Sequence, residues 1–233
     1  MNRRNFVKKS VLGGMTFFEI PLTSKKTHRK NSQPYELSLD SPIRYFDGEN
    51  CFVHPRAGIV PGVGKGGLPR VVMTMTTQDL SGSDVFRTAY RMQTDNLGKS
   101  WTNPTESASL AARHEIIDGE RRPVALSDFC PDWHRHSKTL LGTGHTVAYT
   151  PEWEVTNPRP RHTSYSFYKP CDGTWSEWQK LEMPDDKKFH NCGAGSVQRY
   201  DKADGTILLP VYFNPPNPEI LAMLLLSGVR LTE

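Results

Sequence analysis

The chain has 233 residues, of which 36% are hydrophobic and 23% are charged, a balance typical of a globular protein with a sizeable core. The formal net charge of +4 is concentrated at the N-terminus: residues 1–30 hold eight basic side chains and one acidic one, which leaves 21 basic and 24 acidic side chains for the rest. No run of about 18 apolar residues predicts a transmembrane helix. No basic patch interleaved with aromatic residues predicts nucleic-acid binding.

The first segment of interest, RRNFVKKS at Arg3–Ser10, resembles a twin-arginine export signal. Two arginines precede a spacer, Phe6, an apolar residue and lysine, and an apolar stretch follows. The alternative interpretation is a basic disordered tail. We expect residues 1–33 to be an export signal with a basic segment, residues 34–233 to form the folded domain, and the protein to be periplasmic or secreted.

Three strand-like segments then recur along the chain. They are LPRVVMTMT at 68–76, SKTLLGTGHTVAY at 137–149 and DGTILLPVYF at 204–213. Val71, Leu140 and Ile207 occupy matching places in them, 69 and 67 residues apart. Each segment follows a polar or glycine-containing turn, which is typical of strands in an all-β protein. This spacing predicts a repeated unit of about 70 residues.

The neighbours of these strands repeat as well. A short cysteine-containing segment precedes each one: NCFVHPRAGIV, SDFCPDWH and HNCGAGSVQ. The first two are followed by an aromatic strand and a turn that ends in Trp101 or Trp175. In the first turn, Gly98 would supply the bend, and Thr94 and Asn96 would hydrogen-bond the loop backbone.

We expect each unit to be a four-stranded antiparallel sheet and the units to stack around an axis as an all-β propeller of about three blades. The third unit lacks a tryptophan turn and ends in an apolar run that predicts one more strand. The chain is therefore expected to be the N-terminal part of a longer propeller.

The residues Thr94, Asn96, Gly98, Ser100 and Trp101 resemble the Asp-box of sialidases and their relatives, with asparagine in place of aspartate. This resemblance implies a β-propeller of the sialidase type. It also implies two roles early in the chain, a carboxylate-binding arginine and an acid/base carboxylate.

Two residues match those implied roles. Arg56, in HPRAGIVPG, suits the first, although the family's Arg-Ile-Pro reads Arg-Ala-Gly here. Asp84, ten residues before Thr94, suits the second. The alternatives are a structural ion pair for Arg56 and a loop-capping role for Asp84.

The repeat alignment gives candidate residues independently of the resemblance. Thr76, His145 and Tyr212 fall at one equivalent position, and polar residues that converge on a propeller axis would form a pocket. A second equivalent position lies near the residues His54, Arg56, Asp128, His190 and Asn191.

We select three candidate catalytic residues and three candidate substrate-binding residues from these comparisons. The catalytic candidates are Asp84, His145 and Tyr212, and the substrate-binding candidates are Arg56, His190 and Gln198. The alternative for His145 is a buried structural histidine, and for Gln198 a strand-pairing role.

Cys130, His134 and His136 lie close together in sequence, but their spacing matches no zinc motif. We expect a buried free thiol at Cys130, exposed imidazoles at His134 and His136, and neither metal nor cofactor. The spacing of the four cysteines does not define a disulfide pairing.

These observations favour a secreted sialidase-like exo-glycosidase that acts on acidic sugars, with Arg56 orienting the sugar and Asp84 as acid/base. The alternatives are a propeller lyase acting on uronates, with His145 as base and Tyr212 as acid, and a carbohydrate-binding propeller without activity. In each case the partner is an acidic glycan, and we expect a monomer with no nucleic acid bound and no membrane span.

The export interpretation gives a direct test. Replacing Arg3 and Arg4 by lysine should leave the protein in the cytoplasm, because lysine preserves the charge but removes the arginine pair that defines the motif. Cell fractionation and immunoblotting of both forms measure this. Unchanged localisation of the double variant would show that the motif has no export role.

Overall fold

A computed structural model describes residues 37–82, 84–196 and 198–214, together with the backbone of the strand Ala222–Val229. The predicted export motif lies outside these residues. The described chain is all-β, as predicted, with three antiparallel sheets. Its helical segments are two three-residue 3₁₀ turns, and no described helix has the length and apolarity needed to cross a membrane.

The first and third sheets have four strands each. The first contains β1 (Asn50–Val60), β2 (Arg70–Asp79), β3 (Val85–Thr94) and β4 (Thr105–Glu106), paired in that order. The third contains β11 (Cys192–Gly193), β12 (Tyr200–Asp201), β13 (Ile207–Phe213) and β14 (Ala222–Val229), all three others pairing with β13.

The second sheet has six strands. They are β5 (Arg113–Ile117), β6 (Glu120–His134), β7 (Thr139–Ala148), β8 (Arg161–Lys169), β9 (Thr174–Trp175) and β10 (Gln179–Lys180). The pairing order is β10-β8-β7-β6-β5, and β9 also pairs with β8. The hairpin partner β5 is an addition that the 70-residue repeat did not predict.

Strand register confirms the repeat alignment. Val71 and Leu140 are each the second residue of their strands, and Ile207 is the first of its strand. Each of the corresponding strands β2, β7 and β13 pairs antiparallel with the cysteine-containing strand that precedes it. The three units therefore share one local topology.

The hydrophobic core lies between successive sheets. Leu140 packs in a cluster with Val60 and Val72 of the first sheet, whereas its neighbour Leu141 packs in a cluster with Leu209 and Val211 of the third. Successive side chains of a strand point to opposite faces. The second sheet is thus covered on both faces.

The turn after β3 has the predicted hydrogen bonds. The Thr94 hydroxyl accepts a bond from the Gly98 amide at 3.0 Å, and Asn96 Oδ1 accepts one from the Ser100 amide at 3.0 Å. Gly98 has a φ of +83°, which favours glycine. Trp101 is only partly buried, whereas Trp175, at the equivalent turn of the second sheet, is 2% exposed.

One prediction about the segment from Cys130 to His136 is wrong. His134 is buried rather than exposed, because its ring nitrogens lie 2.7 Å from Ser137 Oγ and 3.1 Å from the Gly205 carbonyl, which comes from the third sheet's hairpin. His136 is exposed, as predicted. All four cysteines are free thiols, and Cys130 is half-buried.

The two tryptophan turns should contribute unequally to stability. Trp175 packs against Phe129 and Tyr168 at ring distances of 5.0 and 5.4 Å. Trp175→Ala should lower the free energy of unfolding by about 3–5 kcal/mol, and Trp101→Ala by about 1 kcal/mol. Denaturant titration measures both, and equal losses would contradict the difference in burial.

Candidate functional site

We call the cysteine-containing strands β1, β6 and β11 the inner strands. Each of them is irregular where it pairs with the same part of its neighbour, β2, β7 or β13. The β1–β2 register shifts between Val53 and Arg56, and the β6–β7 register shifts between Ser127 and Cys130. In the third sheet, β11 and β12 both pair with β13 but are separated by residues 194–199. Bulges of this kind redirect side chains away from the regular alternation.

Each irregularity contains a non-glycine residue in the left-handed region. The φ angles are 52° at His54, 48° at Asp128 and 55° at Ser196. Such angles are uncommon outside glycine and cost free energy. His54 and Asp128 are at equivalent places and Ser196 lies two residues beyond the third such place, and the three polar side chains come together.

Asp128 is the centre of this group. The Ser196 hydroxyl donates a hydrogen bond of 2.6 Å to Asp128 Oδ1. His54 Nδ1 and Arg56 Nη2 each lie 3.6 Å from the same oxygen. Arg56 Nη2 also donates to Ser196 Oγ at 3.3 Å. One carboxylate therefore links all three sheets.

A hydrogen-bonded pair, Tyr212 and His145, lies beside the Asp128 group. The hydroxyl of Tyr212 and Nδ1 of His145 are 3.1 Å apart. They occupy the equivalent strand positions that the alignment predicted, since His145 pairs with Ser127 and Tyr212 with Gly193, each just before an irregularity. Gly195 packs directly against the His145 ring, so a larger residue there would clash.

Burial controls the protonation of this pair. The His145 side chain is 4% exposed, and burial lowers its pKa to about 4, with Arg161, His54 and Arg159 acting in the same direction and Asp128 opposing them. Burial likewise raises the pKa of Tyr212, against the effect of Arg161. At neutral pH the pair is therefore a neutral imidazole and a neutral phenol.

A cleft of about 500 Å³ is lined in part by Arg56 and Ser196, the two residues that contact each other beside Asp128. Its lining residues are Arg56, Ala57, Cys130, Pro131, Asp132, Thr143, Ser196, Gln198 and Arg199. The guanidinium of Arg199 is held by Asp201 at 2.9 Å and by backbone carbonyls. Arg56 and Gln198 are accessible to a sugar, because Arg56 is 35% exposed at its side chain and Gln198 is exposed; Asp132 and Ser196 are exposed lining residues as well.

The sequence-selected candidates occupy different places. Arg56 and Gln198 line the cleft, and His145 and Tyr212 form the hydrogen-bonded pair. Asp84 lies between β2 and β3, where its carboxylate accepts a 2.8 Å bond from Arg159. Neither Asp84 nor the Tyr212–His145 pair is among the cleft-lining residues.

His190 also lies apart from the pair. It is exposed in the turn before β11, with Nδ1 3.0 Å from the Lys187 carbonyl. At the level of the irregularities the third sheet presents Ser196 instead.

Sequence reasoning did not select Ser196, Arg161 or the central role of Asp128. The repeat alignment places Asp128 near the position of Arg56, and this equivalence could have identified Asp128. Ser196 follows a glycine in GAGS, and the interruption of the third inner strand shifts it out of register with the other two. Arg161 aligns with Arg87 of the first unit, at the same 74-residue offset as Trp101 and Trp175, but the alignment was not extended to these strands.

Within the described ranges, no cluster of three or more histidine, cysteine, aspartate or glutamate side chains is placed to hold a metal ion. Compared with known proteins, the chain matches no protein-family model and no curated sequence. The geometry of the site therefore carries the functional proposal.

The buried imidazole predicts a pH dependence of stability. The pKa of His145 is lowered from 6.5 to about 4 in the folded state, so the unfolded chain binds the proton more readily as pH falls between these values. The free energy of unfolding should decrease by about 3 kcal/mol across that window because of this residue.

Denaturant titrations at several pH values measure this effect. His145→Gln should flatten the profile between pH 6.5 and 4, the pKa values of the unfolded and folded states, whereas substitution of the exposed His114 by Gln should leave it unchanged. An identical profile in His145→Gln would contradict the assignment.

Proposed function

We propose that the three sheets are consecutive blades of a β-propeller and that the site cleaves a uronate-containing polysaccharide by β-elimination. The observation that carries the second proposal is the Tyr212–His145 hydrogen bond of 3.1 Å at the inner ends of two sheets. The propeller proposal is supported by the related topology of the stacked sheets and by the matching irregularities of their inner strands. A periplasmic or extracellular location, proposed from the twin-arginine motif, suits a polymeric substrate.

Tyr212 is the member of the pair that a substrate can reach, because it is partly exposed while His145 is buried. In the reaction, the Tyr212 oxygen takes the proton at C5 of the uronate as its own proton moves to His145 Nδ1. The C5–H electron pair forms the C4–C5 double bond, and the C4–O pair leaves with the glycosidic oxygen.

The same two residues complete the cycle. Tyr212 gives the abstracted proton to the leaving oxygen and recovers its own proton from His145. The Asp128 carboxylate favours the transient imidazolium, since it acts against the other causes that lower the pKa of His145. No water is consumed, and the products are a sugar hydroxyl and an unsaturated uronate.

Binding of the polymer is assigned to the cleft. Arg56 offers a planar guanidinium that suits a sugar carboxylate, and Gln198 offers an amide for hydroxyl groups. Asp128 neutralises Arg56 only loosely, at 3.6 Å. An acidic sugar would therefore compete for this cation at modest cost.

The second candidate function is a sialidase-like hydrolysis of terminal acidic sugars. The observation that favours it is the half-exposed carboxylate of Asp84, which is 47% exposed at its side chain and lies at a hairpin end. In that reaction Asp84 is the acid/base and Arg56 orients the sugar carboxylate. The Asp84 carboxylate is occupied by a 2.8 Å ion pair with Arg159, whereas Tyr212 and His145 are already hydrogen-bonded to each other. Elimination is therefore ranked first.

Product analysis tests the assignment. The protein is incubated with polygalacturonate, alginate and polyglucuronate, and the ultraviolet absorbance of the unsaturated uronate is followed. Tyr212→Phe should reduce the rate by about 100-fold or more, because the variant has no transferable proton. Tyr165→Phe is the matched control. It also removes a phenolic hydroxyl, but one that donates to Gln179 Oε1 and is not bonded to His145, so this variant should retain full activity.

Four outcomes contradict the elimination proposal. Reducing ends without ultraviolet absorbance indicate hydrolysis, and release of sialic acid from a sialylated glycan would establish the second candidate. Binding of these polymers without any product indicates a carbohydrate-binding module. Full elimination activity in Tyr212→Phe would remove the phenol from the mechanism.

A further inference from the structure

Three arginines surround the Tyr212–His145 pair or its Asp128 neighbour, and they differ in how their charge is compensated. Arg56 lies 3.6 Å from Asp128, and Arg159 lies 2.8 Å from Asp84. For Arg161, no carboxylate within 4.0 Å occurs in the described part of the chain. Arg161 is thus the cation near the pair that lacks an acidic partner.

The position of Arg161 is fixed by the fold. It opens β8, where it pairs with Val147 of β7, two residues from His145. Its guanidinium carbon lies 5.8 Å from the centre of the Tyr212 ring. The backbone amide of Arg161 is held by Asn191 Oδ1 at 3.2 Å.

The guanidinium also has an unmet hydrogen bond. Its Nε atom is buried, yet no acceptor among the described residues bonds to it. A buried N–H of a cationic group without an acceptor is costly. An oxyanion bound at the guanidinium beside Tyr212 would supply the missing negative charge.

We propose that Arg161 binds the carboxylate of the sugar whose proton Tyr212 removes. This proposal rests on the proposed elimination and adds the group that activates the substrate. A uronate carboxylate adjacent to C5 withdraws little charge while it is anionic. When Arg161 neutralises it, the negative charge that develops at C5 is delocalised into the carboxyl group, so the C5 proton becomes easier to remove.

The test is an NMR titration of the ¹⁵N-labelled full chain. Sodium glucuronate is the probe, and the Nε–Hε resonance of Arg161, assigned by its loss in Arg161→Gln, is the readout. Glucuronate should shift this resonance in a saturable manner. The neutral methyl ester of glucuronate should bind at least about tenfold more weakly than glucuronate, because it lacks the negative charge.

Variants separate Arg161 from Arg159. Arg161→Gln should weaken glucuronate binding by about tenfold or more, and Arg161→Lys should recover only part of it, because ammonium cannot make the bidentate contact. Arg159→Gln is the matched control and should bind as the parent does. Circular dichroism of each variant establishes that it is folded.

Other results would overturn the assignment. Equal binding of glucuronate and its methyl ester, an unmoved Arg161 resonance, or equal affinity for inorganic sulfate would each show that Arg161 is not a carboxylate site. Cleavage of the polymer is measured separately, by the ultraviolet absorbance of the unsaturated uronate. Glucuronate binding at Arg161 without an unsaturated product would leave the carboxylate site standing and reject elimination.

Discussion

The second sheet has to bury both of its faces, and the positions of the other two sheets follow from this requirement. Strand β7 is buried along nearly its whole length, with Leu140 facing one cluster and Leu141 the other. A single sheet has no way to cover two apolar faces. Burial of both faces brings the inner strands close enough for Asp128 to reach His54 and Ser196.

Stability and chemistry meet in the same residues. Asp128 is a partly buried carboxylate, and its cost of desolvation is offset by one hydroxyl and one guanidinium from two neighbouring sheets. His145 is kept neutral by the same burial that packs Gly195 against it. A close fit between sheets thus sets both the packing of the core and the protonation of the candidate catalytic pair.

Local pattern was enough to predict the strands and the equivalence of His145 with Tyr212, because both depend on spacing along the chain. Contacts between residues far apart in the sequence could not be predicted from local pattern. The burial of His134 depends on the Gly205 carbonyl, 71 residues away, and the pairing of Asp84 with Arg159 spans 75 residues. Ser196 was missed because the third inner strand is interrupted over residues 194–199, where a repeat alignment loses register.

The division of the site among three sheets has a consequence for folding. Most strands pair with a near neighbour in sequence, so each sheet can form from hairpins of low contact order. The Asp128–Ser196 and His145–Tyr212 contacts, by contrast, span 68 and 67 residues and exist only after the sheets have stacked. Local opening of the third sheet alone would therefore silence the site while the first two sheets remain paired, which makes ligand binding a sensitive reporter of the last step in assembly.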